Sequence, residues 1–231
     1  MRSKYHEVFV DKYTEKLGFL CRAINFLEDV YEDAECSEVY VDSKALAELL
    51  LVVKGVSCDN LEDSVERFKD RYDLRVVLGV GETPLRKLYD HVVKYYARTL
   101  RHRVRKLAYK DSETSGEYYL GVLFDGRGFI LEGEENEVRV PSIPQCFSAH
   151  THPSSSPLPS PADLKMITRL LVDRGVGHAI ESRSGGLAIY RTAPLSLEDY
   201  EALRELESVN DVTVAIHKLS EMRSVKTRVI T

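Results

Sequence analysis

Apolar residues recur at helical spacing through the first part of the chain. Val8, Tyr13, Leu17, Leu20, Ile24 and Leu27 share one side of a proline-free run from Tyr5 to Tyr31, which predicts a long helix. Ser43 caps a second run, Ala45 to Lys54, that stops at Gly55, and a third helix is expected after Ser57 or Asp59, through Val65 and Phe68. Thr83 followed by Pro84 reads as an N-cap and first helical residue. From there Leu88, Val92, Tyr96, Leu100, Val104 and Leu107 form a single stripe. Residues 1–110 therefore read as a mainly helical domain.

After the polar stretch 111–116 the pattern turns to short β-type runs. Tyr118 to Phe124 and Phe129 to Leu131 flank Asp125-Gly126, a hairpin signal. Further strands are expected at Val138 to Val140, Cys146 to His150, His178 to Ser182, Leu187 to Tyr190, Val212 to Ile216 and Val225 to Ile230. Helices are expected at Pro161 to Asp173 and Leu197 to Glu207. Residues 111–231 read as a second domain of α/β or α+β class, with no internal repeat.

At 231 residues the chain is long enough to bury roughly 70% of its unfolded surface without staples. Charge is uneven: residues 1–110 hold 20 Lys and Arg against 19 Asp and Glu, whereas 111–231 hold 12 against 18. The four cysteines, Cys21, Cys36, Cys58 and Cys146, include no C-x-x-C, which argues against a zinc ribbon or dithiol redox pair and for reduced thiols. No apolar stretch approaches the ~20 residues of a membrane span. Met1-Arg-Ser-Lys leads into charged sequence rather than a signal-peptide core, so the expected location is the cytoplasm, away from membranes.

The chemistry concentrates between Ser148 and Asp163. Residues two apart on a strand point the same way, so His150 and His152 are able to approach one cation together, with Pro153 ending the strand. Ser160 and Pro161 read as N-cap and N1 of a helix, which puts Asp163 at N3, kept ionised by the helix's positive end. Three N/O ligands leave one corner of a tetrahedral zinc open, the arrangement of a catalytic site. Imidazole and carboxylate without thiolate point first to zinc, and iron, nickel and manganese stay open on ligand type alone. Glu117, opening the strand at Tyr118, is the preferred general base beside that corner. An isolated H-x-H is more often two ordinary strand histidines, and Ser-Pro-x-Asp more often a plain cap. Their joint spacing favours ligands.

The residues after His152 do not continue as the H-x-H-x-D-H of metallo-β-lactamases, and the P-C-x-x-C of zinc deaminases is absent. An upstream Glu, His150-x-His152-Pro153 and Ser160-x-x-Asp163 together resemble the JAMM, or MPN+, metalloproteases. The stretches from His152 to Thr168 and from Glu117 to Asp125 are most similar to the RadC-like branch. The resemblance implies a cytidine-deaminase-like mixed sheet with flanking helices over 111–231, holding one Zn2+ on His150, His152 and Asp163. It implies hydrolysis of isopeptide or peptide bonds in a protein or peptide substrate, such as a ubiquitin-like conjugate. Glu117 would take a proton from the water on the zinc, and Ser160 would help to hold the oxyanion. Glu113-Thr-Ser-Gly116 also resembles the Glu-x-x-Gly entry of eukaryotic deubiquitinating members, so Glu113 is the alternative base. Cys146, in phase with the histidines, reads as a small buried hydrophobe.

RadC-like proteins carry a helix-hairpin-helix in a helical front domain, and the segment from Leu78 to Leu85 with Gly79 and Gly81 is similar to it. Residues 94–110 hold seven Lys and Arg without an acidic residue, with Lys94, Arg98, Arg101 and Arg105 on one helix face. A solvated surface is the plain reading, and docking of nucleic acid or an acidic protein the other. The expectations are thus a JAMM-type peptidase, then a RadC-like DNA-associated protein with a hydrolytic metal site, then a non-catalytic MPN scaffold. Oligomeric state is not legible.

Overall fold

The computed structural model describes residues 4–110, 116–133, 140–152 and 156–231. The chain is mixed α and β, with two mixed sheets. The first half carries strands as well as helices, which corrects the expectation of a helical domain. Its opening residues form a strand, β1 (Lys4–Phe9), and the long helix begins only after Asp11, as α1 (Lys12–Asp33). The carboxylate of Asp11 accepts from the backbone N–H of Tyr13 and Thr14, and Thr14 returns the bond in a capping box, so the start is set locally. The helical spacing that reached back to Val8 was coincidental, since Val8 is exposed.

The run expected as a second helix is split. Ala45–Glu48 makes one 3-10 turn, Leu49 adopts a left-handed φ of 54°, and the chain then extends as β3 (Leu51–Val56) beside β2 (Glu38–Val41). Leu51 and Val53 are buried while Lys54 is exposed, which is a period of two, and the β-branched valines favour that extended course. The third helix is present as α2 (Leu61–Lys69). The segment read as a helix-hairpin-helix instead joins strands β4 (Val76–Leu78) and β5 (Thr83–Pro84). These complete a four-stranded sheet in the order β4-β3-β2-β5, with only β3 and β4 parallel. Cys36 and Cys58 are joined by a disulfide across the β2–β3 hairpin, which corrects the expectation that all four thiols are reduced. Gly55 leaves room for it, because a Cβ there would lie 2.2 Å from Cys58 Sγ.

The stripe from Leu88 to Val104 is buried as expected, but on two helices, α3 (Leu85–Thr99) and α4 (Arg101–Lys110), that meet at Leu100. The break turns Arg101 inward, onto Glu181.

In the second half β6 (Tyr118–Leu123), β7 (Gly128–Glu132), β8 (Gln145–Thr151), β9 (Gly177–Glu181), β10 (Gly186–Arg191) and β11 (Val225–Ile230) lie close to the expected strands. Helices α5 (Pro161–Val172) and α6 (Leu197–Leu206) do as well. Val212 to Ile216 is a correction: it belongs to helix α7 (Val212–Glu221), whose first turn is capped by Asp211 and whose inner face carries Ala215 and Leu219. Of the strand expected at Val138 to Val140, residues 138 and 139 lie outside the described residues.

The large sheet has the order β1-β7-β6-β8-β9-β10-β11, antiparallel except for β8 and β9, which α5 connects. Helices cover both faces. On one, Leu17, Leu20 and Ile24 of α1 and Tyr96 of α3 pack with Leu120, Phe147 and Ala149; on the other, α5, α6 and α7 pack on Ile180 and Ile189. The boundary drawn at residue 110 is crossed by this packing, because β1 pairs with β7 and the first cluster draws side chains from both sides of it. Buried Arg191 of β10 adds a polar tie, donating to Glu28 and Asn25 of α1.

Candidate metal centre

His150 lies near the end of β8 and His152 just past it, and Asp163 stands in the first turn of α5. The loop between strand and helix, at the carboxyl end of a parallel strand, is where open α/β sheets gather ligands. Alternation along β8 sends Phe147 and Ala149 into the α1 side and leaves Ser148 and His150 to the other. Ser160 caps α5, accepting from Asp163 N, while its own N–H donates to Asp163 Oδ2 at 2.6 Å. The same capping box that starts the helix therefore aims the carboxylate.

One ligand atom from each of His150, His152 and Asp163 lies within 4.8 Å of the others. Asp163 Oδ1 is 3.2 Å from His150 Nε2, and Oδ2 is 3.1 Å from His152 Nε2. The far nitrogens are both engaged: His150 Nδ1 is 2.7 Å from His178 Nε2, and His152 Nδ1 is 3.2 Å from the Ser156 carbonyl. A carbonyl only accepts, so His152 carries its proton on Nδ1 and a neutral ring turns a lone pair on Nε2 towards the carboxylate. Lone pairs facing an anion require something positive between them, either a proton or a metal ion. His150 Nε2 is in addition buried without a hydrogen-bond partner among the described residues. These donors, two imidazoles and a carboxylate with no thiolate, fit a divalent metal such as zinc.

The electrostatics agree. Burial by itself would raise Asp163, but the imidazoles of His150 and His152 and the Ser160 N–H hold it far below the usual carboxylate range. Burial works to lower His152 as well, yet Asp163 and Glu117 bring it above the ordinary histidine value. Glu117 immediately precedes β6. Tyr119 pairs with His150, and continuing that register by two residues sets Glu117 opposite His152. Burial raises the Glu117 carboxyl against the pull of His150 and His152, with Asp163 adding to the rise. A carboxylate so raised is better matched to taking up a proton near neutrality.

Glu117, His150, His152, Ser160 and Asp163 are thus brought together. Glu113 and Pro153 lie outside the described residues. Cys146 does not share the histidines' side: the register with β6 skips at this point, and Cys146 joins the core of α1, where Cys21 Sγ approaches its carbonyl. The basic stretch 94–110 loses Arg101 from its open face, and Arg103 pairs with Asp11 at 2.5 Å. No helix of the described residues is long and apolar enough to cross a membrane.

Sequence reasoning gave no role to Ser148 or His178. Both are fully buried, and His178 bridges His150 and Ser148. Only the parallel pairing of β8 with β9 brings them together, and no local signal announces that pairing.

No family model, curated protein or solved structure is matched by the chain.

Proposed function

We propose that the protein is a metal-dependent hydrolase of amide bonds, a peptidase or isopeptidase of the JAMM/MPN+ kind, with zinc as the metal. The observation that carries this reading is the convergence of His150, His152 and Asp163 on one point with Glu117 beside it. The mixed α and β architecture, in which the β8–α5–β9 connection carries the three ligands, is compatible with that reading.

His150 and His152 would hold the ion through Nε2 and Asp163 through its carboxylate. When bound, the ion supplies a Lewis acid that polarises the scissile carbonyl and lowers the pKa of a water to about 7. Glu117, raised by burial, accepts the proton of the attacking water and delivers it to the leaving amine. The Ser160 hydroxyl keeps its own proton while its oxygen accepts from Asp163 N, so it is able to donate to the oxyanion.

The substrate in this reading is a protein or peptide, with a ubiquitin-like conjugate as the leading class. The test is a screen of peptide and isopeptide substrates with and without chelator. Hydrolysis that chelator abolishes, Zn2+ restores and Glu117→Gln removes supports the reading; hydrolysis that survives both chelator and Glu117→Gln contradicts it.

A further inference from the structure

Behind the candidate ligands runs a chain of buried polar groups that the proposed chemistry does not use. His150 Nδ1 meets His178 Nε2 at 2.7 Å, and His178 Nδ1 meets Ser148 Oγ at 2.7 Å. Tyr119, whose ring lies against His178, donates its hydroxyl to Gln145 Oε1 at 2.8 Å. None of these side chains is appreciably exposed.

The contact has a direction because His150 Nε2 finds no hydrogen-bond partner among the described residues: a proton there would be a buried donor left unsatisfied, whereas a proton on Nδ1 has His178 Nε2 at 2.7 Å to receive it. His150 therefore carries its proton on Nδ1, His178 Nε2 accepts it, and His178 Nδ1–H donates to the Ser148 oxygen. Every donor points away from Asp163, and the consequence falls at the other end: the Nε2 lone pair of His150 is the one turned to the carboxylate.

The surroundings hold this arrangement. His178 is fully buried and both of its ring nitrogens are engaged, so a neutral ring keeps one accepting nitrogen. Its ring stacks on Tyr119 with centroids 6.2 Å apart. Gly121 makes room for the terminal acceptor, because a Cβ there would lie 2.5 Å from Gln145 Oε1.

We infer that His178, oriented by Ser148, is a positioning residue that fixes His150 as the Nδ1–H tautomer and so presents its Nε2 as a metal ligand. For its consequence on binding, the inference rests on the metal reading above; the tautomer itself does not. Partners of this kind on metal-bound histidines change affinity by about 10- to 100-fold.

Two measurements test it. Nitrogen-15 correlation spectra of the histidine rings in metal-free protein should show His150 protonated on Nδ1; protonation on Nε2 alone overturns the inference. Zn2+ affinity, read by competition with a chromophoric chelator, should fall about 10- to 100-fold in His178→Leu. Ser148→Ala should lower it less. His178→Gln, whose Oε1 is able to take the place of Nε2 as acceptor, should recover most of the loss. Wild-type affinity in a folded His178→Leu overturns the inference. If His178→Leu does not fold, the wild-type spectrum decides. If the wild-type protein binds no Zn2+, the metal reading falls, and the tautomer of His150 still supports or overturns the positioning role.

Discussion

Arg101 Nε lies 3.0 Å from both carboxylate oxygens of Glu181, and the backbone carbonyl of the same Glu181 accepts from His152 N at 2.8 Å. A residue of α4 thereby braces the strand end that holds a candidate ligand. Tyr96 O–H adds a bond to Glu181 at 3.1 Å, and Arg101 reaches on to the Ile230 carbonyl. Burial pushes the Glu181 carboxyl up, and Arg101 acts against that rise.

Removing the cation should leave a buried carboxylate uncompensated. Arg101→Leu is expected to lose about 3–5 kcal/mol of stability in urea unfolding, and the double variant with Glu181→Leu to recover much of it. A loss below about 0.5 kcal/mol in the single variant would mean that Arg101 is an ordinary surface base.

Glu117→Gln keeps the size of the side chain and removes its basicity. It should retain the wild-type metal content while lowering the hydrolysis rate by about 10²- to 10⁴-fold. Loss of the metal together with activity would instead make Glu117 a ligand.

A raised His152 has a definite sign for metal uptake. Metal needs the neutral ring, and without metal Asp163 favours the protonated one, so binding displaces a proton. Affinity for Zn2+ should weaken by about tenfold per unit as pH falls below the His152 pKa, one displaced proton being the cause. Equal affinity at pH 8 and pH 6 would contradict this exchange.

Lys16 gives a pH effect far from the site. Its ammonium has no hydrogen-bond partner among the described residues and lies over the Phe19 ring, and burial lowers its pKa to about 8. Between that value and about 10.4 the unfolded chain holds a proton that the folded chain has lost. Stability from this group therefore rises with pH across the window and is penalised below it. Lys16→Met should be more stable than wild type at pH 7, and the gap should narrow by pH 10. A gap that stays constant would remove the argument.

The second half was the more legible because its signals are local. Asp125-Gly126 marks its hairpin, and Ser160, Pro161 and Asp163 mark a helix start that the capping box reproduces. Two histidines in one strand phase needed only the pleat. The first half misled where apolar runs fit two periods at once: Leu49 to Val53 reads as a helix by composition, and only the alternation of burial reveals a strand. Asp211 overrode the β-branched residues of α7, and the bulge at Cys146 broke a parity argument that assumed a regular strand. His178 was beyond reach for another reason, since its role comes from a pairing across the sheet rather than from neighbours in the chain.

The most direct test of the account is elemental analysis of the purified chain beside Asp163→Ala and His152→Ala, each first shown by circular dichroism to be folded. One transition-metal ion per wild-type chain, absent from both variants, is the predicted result. A folded wild-type protein that neither carries nor takes up such an ion, or variants that keep it, would contradict the account.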